Sequence, residues 1–196
     1  FIDPHDIYDK VIVIDAGHGS RMSGATKNGI QEKDINLDIV LQLKALFDAY
    51  DGNIGVYYTR TDDSNPTLQQ RAELANKAGA DLFISVHNNS SGTGNFTSVN
   101  GTQVLYSESD DRELGSKKLA QICLDNVTAA TGSNDFGLLK ADDIYIVRSS
   151  EAPVALIEVG FMTNRDELAK LADPEYQKTA AQGIFNAVLE AVKEGY

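Results

Sequence analysis

Cysteine, histidine and positive charge are scarce in this 196-residue sequence, and each shortage excludes something. One cysteine, Cys123, excludes an internal disulfide, and its apolar, helix-like surroundings mark it as a core thiol; the redox compartment stays open. Basic residues number 17 against 29 acidic ones, a formal net charge of −12 that repels nucleic acid and anionic membrane surfaces over much of the protein. No apolar run approaches the roughly 18–20 residues needed to span a bilayer. The compact His-Glu-x-x-His metal motif is absent. Nucleotide loops fail as well. A dinucleotide fingerprint starting at Gly17 needs glycine where Met22 stands, and a Walker-type count from Gly19 reaches Gly24 and then Ala25-Thr26, without the lysine. There is no internal repeat and no interdomain linker. The sequence opens at Phe1 with no charged stretch leading into an apolar one, and reads as a trimmed or mature fragment.

What is present describes an ordinary globular chain, 42% hydrophobic and 23% charged. At this length one domain buries roughly 70% of the surface its unfolded chain exposes, so a core forms without staples. Strand-like runs fall at Lys10–Asp15, Ile54–Thr59, Leu82–His87, Thr102–Ser107 and Val154–Val159, with a weaker one near Ile144–Arg148. Helical spacing follows Glu32 through Ile35, Ile39, Leu43, Leu46 and Phe47. Further helices are predicted from the Thr67-x-x-Gln70 capping box to Gly79, from Leu114 to Gly132, after Asn164-x-x-Glu167, and after Asp173-Pro174. Strands alternating with helices predict a single α/β domain, a mostly parallel twisted sheet of about six strands with helices on both faces. Asn88–Gly101, rich in Ser, Thr, Asn and Gly, reads as a surface loop.

Two of the three histidines are placed tellingly. Val-Ile-Val-Ile-Asp-Ala-Gly-His-Gly, residues 11–19, is an apolar run that delivers His18 to an exposed strand end, where α/β enzymes keep their chemistry. Asp81-Leu-Phe-Ile-Ser-Val-His-Asn-Asn ends the same way at His87, and Pro153-Val-Ala-Leu-Ile-Glu-Val-Gly-Phe carries Glu158 among apolar neighbours, where an ionised carboxylate needs a cation, a proton or water. Glu32 opens the first helix, a position that the helix dipole alone also favours. Two histidines and one carboxylate supply the ligand set of a catalytic zinc with an open fourth position, and a further glutamate supplies the base such sites use. Asp15 is a candidate acceptor orienting His18, and Asn88, Asn89 and Arg148 are candidate substrate contacts.

These segments, in this order, resemble the zinc-dependent N-acetylmuramoyl-L-alanine amidases of the type 3 amidase family, which remodel bacterial cell walls. The resemblance spans nearly the whole chain. It runs through Asp15-Ala-Gly-His-Gly, Gly24-Ala25, Asn28-Gly-Ile-Gln-Glu-Lys-Asp34, Thr59-Arg60, Arg71 with Ala75-Asn76, Asp81 to His87 and Pro153 to Asn164. The family often has glycine at Ser20, an acid at Met22 and alanine at Asn88; none of these departures removes a ligand or the base. The resemblance implies one Zn²⁺ held by His18, Glu32 and His87, with Glu158 as the catalytic glutamate, and a peptidoglycan substrate met outside the cell or in the bacterial envelope. A monomer is expected, and the acidic surface, a poor match for anionic wall polymers, predicts that wall targeting comes from other segments. Some relatives insert a long helix that plugs the zinc site after the strand corresponding to Thr102–Ser107; here only Glu108–Glu113 precedes the third helix, which predicts a site open without an activator. Two other readings stay open: a zinc carboxypeptidase or endopeptidase acting within stem peptides, and a non-catalytic wall-binding module.

Overall fold

The computed structural model describes residues 2–196. After a short 3-10 turn at Pro4–Asp6, the chain runs β1 (Lys10–Ala16), β2 (Thr26–Lys27), β3 (Ile30–Gln31), α1 (Glu32–Asp48), β4 (Ile54–Tyr58), α2 (Leu68–Lys77) and β5 (Leu82–Asn89). It continues through β6 (Thr102–Tyr106), α3 (Ser116–Thr131), β7 (Asp135–Lys140), α4 (Tyr145–Arg148), β8 (Val154–Phe161), α5 (Arg165–Leu171) and α6 (Pro174–Glu194).

Six strands form one sheet in the order β4-β1-β5-β8-β6-β7, and β2 pairs only with β3 in a small antiparallel hairpin. β4, β1, β5 and β8 are mutually parallel, whereas β6 runs antiparallel to β8 and parallel to β7. β1, β5 and β8 are almost continuously buried, as expected of central parallel strands covered on both faces. Their alternation sorts side chains to two cores. Ile12, Ile14, Ile84, Val86 and Ile157 pack with α1, α3 and α6, while Val11, Val13, Phe83 and Leu156 pack with α2 and α4.

Helix boundaries follow local chemistry. Thr67 and Gln70 form a reciprocal capping box on α2, Asn164 caps α5, Asp173 and Pro174 open α6, and α3 stops at the left-handed Gly132.

One strand assignment from the sequence is corrected. Ile144–Arg148 does not form a strand: Tyr145–Arg148 is the helix α4, which buries Ile146 and Val147, and the sixth strand is Asp135–Lys140. β7 escaped notice because it is an edge strand, with Asp135, Phe136, Leu139 and Lys140 exposed, so no core-facing periodicity marks it.

Candidate active site

Register builds the site. β5 and β8 place His87 directly beside Glu158, and β6 places Gln103 on the other side of Glu158, so three polar side chains stand in a row on one sheet face. On the same face, one residue pair below, Asp15 of β1 lies beside Ser85 of β5. His18 follows β1 by two residues, and the β2–β3 hairpin then returns the chain so that Glu32, the first residue of α1, meets both imidazoles. The connections leave β1 and β5 toward opposite edges of the sheet, so the site occupies the crevice at the carboxyl ends of the strands, as open α/β sheets commonly arrange it.

Glu32 is the hub of these contacts. Its Oε2 lies 3.2 Å from His18 Nε2 and accepts the Ala25 N–H at 2.9 Å. Its Oε1 lies 3.0 Å from His87 Nδ1 and also accepts from the Asn88 N–H and the Asn36 amide. Burial pushes this carboxyl up, but the hydrogen bonds and charges of His18 and His87 more than reverse that and hold it far below the usual carboxylate range. One donor atom from each of His18, Glu32 and His87 lies within 4.8 Å of the others, a group that can hold a metal ion. The imidazoles stand edge to face, with centroids 5.0 Å apart.

Two glycines make room for this convergence. A Cβ on Gly17 would lie 2.2 Å from the His87 ring, and one on Gly24, whose φ is +65°, would lie 2.3 Å from Glu32 Oε2. Both are places where a side chain and the metal-binding group exclude one another.

Glu158 differs from Glu32 in having no partner: its Oε2 is buried without a hydrogen bond. Burial, with the Glu32 charge adding and the His87 charge opposing, raises this carboxyl to about 7. An orphaned carboxylate oxygen beside a convergent His/Glu/His set is the mark of a group awaiting a cation or a proton. His87 is pushed down by burial, but its bond to Glu32 and the nearby Glu32, Glu158 and Asp15 charges raise it overall.

Beneath the site, two buried arginines grip the turn that carries His18. Arg71 donates to Asp15 at 2.6 Å and to the carbonyls of Ala16 and His18, both at 2.7 Å. Arg60 donates to the carbonyls of Ala16, Gly17 and Lys33. The histidine needs that grip because its φ of +61° is one that side-chain-bearing residues rarely adopt. Asp15 is 1% exposed and is filled by Arg71, Thr59 and Ser85, each at 2.6 Å. It therefore acts on His18 through Arg71 and the backbone; none of its hydrogen bonds goes to the imidazole.

The sequence candidates for substrate contact separate here. Asn88 is corrected: it is 2% exposed, points to the opposite sheet face and donates to Asn36 Oδ1 at 2.8 Å, so its amide braces Glu32 from the α1 side. Asn89 is half-buried and donates to Gln103 at 3.2 Å, beside Glu158. Arg148 is exposed on α4, stacks on Tyr145 and donates to the Asp143 carbonyl. Gln103 and Asn36 went unnoticed in the sequence, since only register and helix phase bring them to the site. A cavity of about 310 Å³ opens over His18 and His87 between α2 and α4, rimmed by Met22, Pro66, Leu68 and Ile146.

Comparison with known proteins agrees with this architecture. The family described as N-acetylmuramoyl-L-alanine amidase matches residues 12–190. The chain is 36% identical over 182 residues to YqiI of Bacillus subtilis (strain 168), covering 93% of this chain and 84% of that protein. It is 34% identical to the N-acetylmuramoyl-L-alanine amidase LytC of the same organism, covering 93% of this chain but only 36% of LytC. The catalytic domain of CwlV, an N-acetylmuramoyl-L-alanine amidase from Bacillus (Paenibacillus) polymyxa var. colistinus, superposes with a TM-score of 0.85 at 34% identity, covering 94% of this chain and 98% of that one. A match over nearly the whole sheet, with the convergent His/Glu/His group at its centre, means that the chain belongs to the N-acetylmuramoyl-L-alanine amidase family.

Proposed function

We propose that this chain hydrolyses the amide between the lactyl group of N-acetylmuramic acid and L-alanine in bacterial peptidoglycan, with one zinc ion held by His18, Glu32 and His87 and with Glu158 as proton carrier. The observation that carries this reading is the buried, unpartnered Oε2 of Glu158, in register with His87. When bound, zinc supplies Lewis-acid polarisation of the scissile carbonyl and brings the pKa of water to about 7. Glu158 takes a proton from the water as its oxygen bonds to the carbonyl carbon, then delivers that proton to the alanine nitrogen, and the C–N bond breaks to release the amine. Gln103 and Asn89, hydrogen-bonded to one another beside Glu158, line its approach, and Arg148 on α4 is a second contact for the substrate.

The reaction belongs outside the cell or in the envelope, where peptidoglycan is found, and proceeds without an activator. Because β6 is antiparallel to β8, Glu108–Glu113 leaves the sheet at the end remote from Glu158 and does not cover the site.

Mass spectrometry of muramoyl-peptide treated with zinc-loaded protein tests the bond. Release of intact peptide beginning with L-alanine is expected; cleavage within the peptide would move the chain to a peptidase. Glu158→Gln is expected to keep fold and zinc while losing about 10²–10⁴ in kcat. A variant retaining full turnover would remove Glu158 from the mechanism.

A further inference from the structure

On the α1 side of the catalytic edge, Phe96 is gripped by two cations. The Arg165 guanidinium lies 4.0 Å from its ring centroid and the Lys27 ammonium 5.1 Å from it. Lys27 also donates to the Gly94 carbonyl. In a chain of net charge −12, neither cation is paired with a carboxylate among the described residues. Each part of the cluster is a short covalent step from a site residue. Lys27 precedes Glu32 in the β2–β3 hairpin, Phe96 follows His87 in the loop after β5, and Arg165 follows Glu158 beyond the end of β8.

The three segments are fastened together. Thr163 accepts the Thr97 N–H through its carbonyl at 2.8 Å and the Ser91 N–H through its hydroxyl at 2.9 Å, which ties the Phe96 loop to the turn bearing Arg165. Phe96 itself packs on the core formed with α1, so the aromatic plate is anchored from behind. A cation stacked on an aromatic face keeps its charge and loses conformational freedom, which prepares it to receive an anion. Two such cations, one of them a planar guanidinium fork, match a carboxylate.

We infer that Lys27 and Arg165, held on Phe96, form a subsite for a free carboxylate carried within the first few residues of the peptide on the leaving-amine side of the scissile bond. The inference rests on the amidase reading and gives it a direction: the peptide runs over the β2–β3 hairpin and α5, leaving the cavity between α2 and α4 to the glycan side. The contact is charge-assisted on a partly exposed surface, so a preference of roughly tenfold is expected, diminishing as salt is raised.

The test compares two synthetic muramoyl-peptides that differ only in whether the second residue bears a free carboxylate or the primary amide. Wild type is expected to show roughly tenfold higher kcat/KM on the carboxylate form, carried in KM. Lys27→Gln/Arg165→Gln is expected to erase the preference while leaving kcat/KM on the amide form unchanged; Arg165→Lys restores part of it. Equal loss on both substrates, or an undiminished preference in the double variant, would overturn the subsite. If wild type cleaves neither substrate, the amidase reading fails, and calorimetry with the two free peptides decides the subsite separately. Tighter binding of the carboxylate peptide, lost in the double variant, sustains it; equal binding overturns it.

Discussion

At the scale of single residues, the site depends on opposite treatment of two carboxylates. Glu32 is surrounded by donors and kept ionised; Glu158 is left without one and raised to about 7. The same fold thus holds one residue type in two opposite states by environment alone, as the proposed roles of ligand and proton carrier require. The Glu32, Glu158 and Asp15 charges favour the protonated form of His87, and that proton must leave before its nitrogen can ligate a metal. Zinc affinity is therefore expected to fall as pH drops from 7.5 to 5.5, and titration calorimetry in buffers of different ionisation enthalpy should register proton release on binding.

Asp15 gives a second test. Burial pushes it up, but the Arg71 charge and the Ser85 and Thr59 hydroxyls outweigh that and leave it lowered. A lowered folded pKa contributes stability that is present above the unfolded value of about 4 and is lost as pH falls through the folded one. Asp15→Asn should flatten that acid-side loss in denaturation midpoints measured between pH 7 and pH 3. Arg71→Met strands Asp15 as a buried uncompensated charge and should cost about 3–5 kcal/mol. Arg71→Lys keeps the charge but not the fork that holds the Ala16 and His18 carbonyls, and should weaken zinc binding about 10–100-fold with a smaller loss of stability.

At the scale of elements, the β2–β3 hairpin matters beyond its size, because it turns the chain so that α1 begins against the imidazoles. Gly24→Ala places a Cβ against Glu32 and His18 at a positive φ. It should reduce zinc affinity more than it lowers the unfolding midpoint, as equilibrium dialysis beside thermal unfolding would reveal. What could be read in the sequence divides along the same lines. β1, β5 and β8 announce themselves as apolar runs because central parallel strands are buried on both faces, and their polar ends, His18, His87 and Glu158, stand out against that background. β7 and α4 do not, since an exposed edge strand and a four-residue helix have too few core contacts to impose a period. Glu32 looks locally like any first-turn acid, and it stands out only when taken together with the two histidines and Glu158, a grouping that the family pattern matches. The orientation of Asn88 turns on strand parity: one residue past His87, it faces the other core, a fact invisible until the strand is known to continue to Asn89.

At the scale of the molecule, the candidate metal-binding group joins the ends of β1 and β5 to the start of α1, and so ties the sheet to a helix that packs on it. A ligand that binds only the folded chain stabilises it by mass action, about 2.7 kcal/mol at a hundredfold excess over Kd. For a domain of this length that corresponds to a Tm increase of roughly 5–11 °C, which calorimetry with and without zinc would measure. His87→Ala should abolish the increase.

The strand order β4-β1-β5-β8-β6-β7 also has a temporal meaning. β8, the last of the six strands to be synthesised, followed only by α5 and α6, lies inside the sheet, between β5 and β6. Until it is inserted, the facing edges of β5 and β6 are unpaired and Glu158 is missing from beside His87. On the proposed mechanism, a chain cut short before β8 carries the candidate metal ligands without a blade, so a wall-cutting enzyme built this way stays harmless while it is still being made.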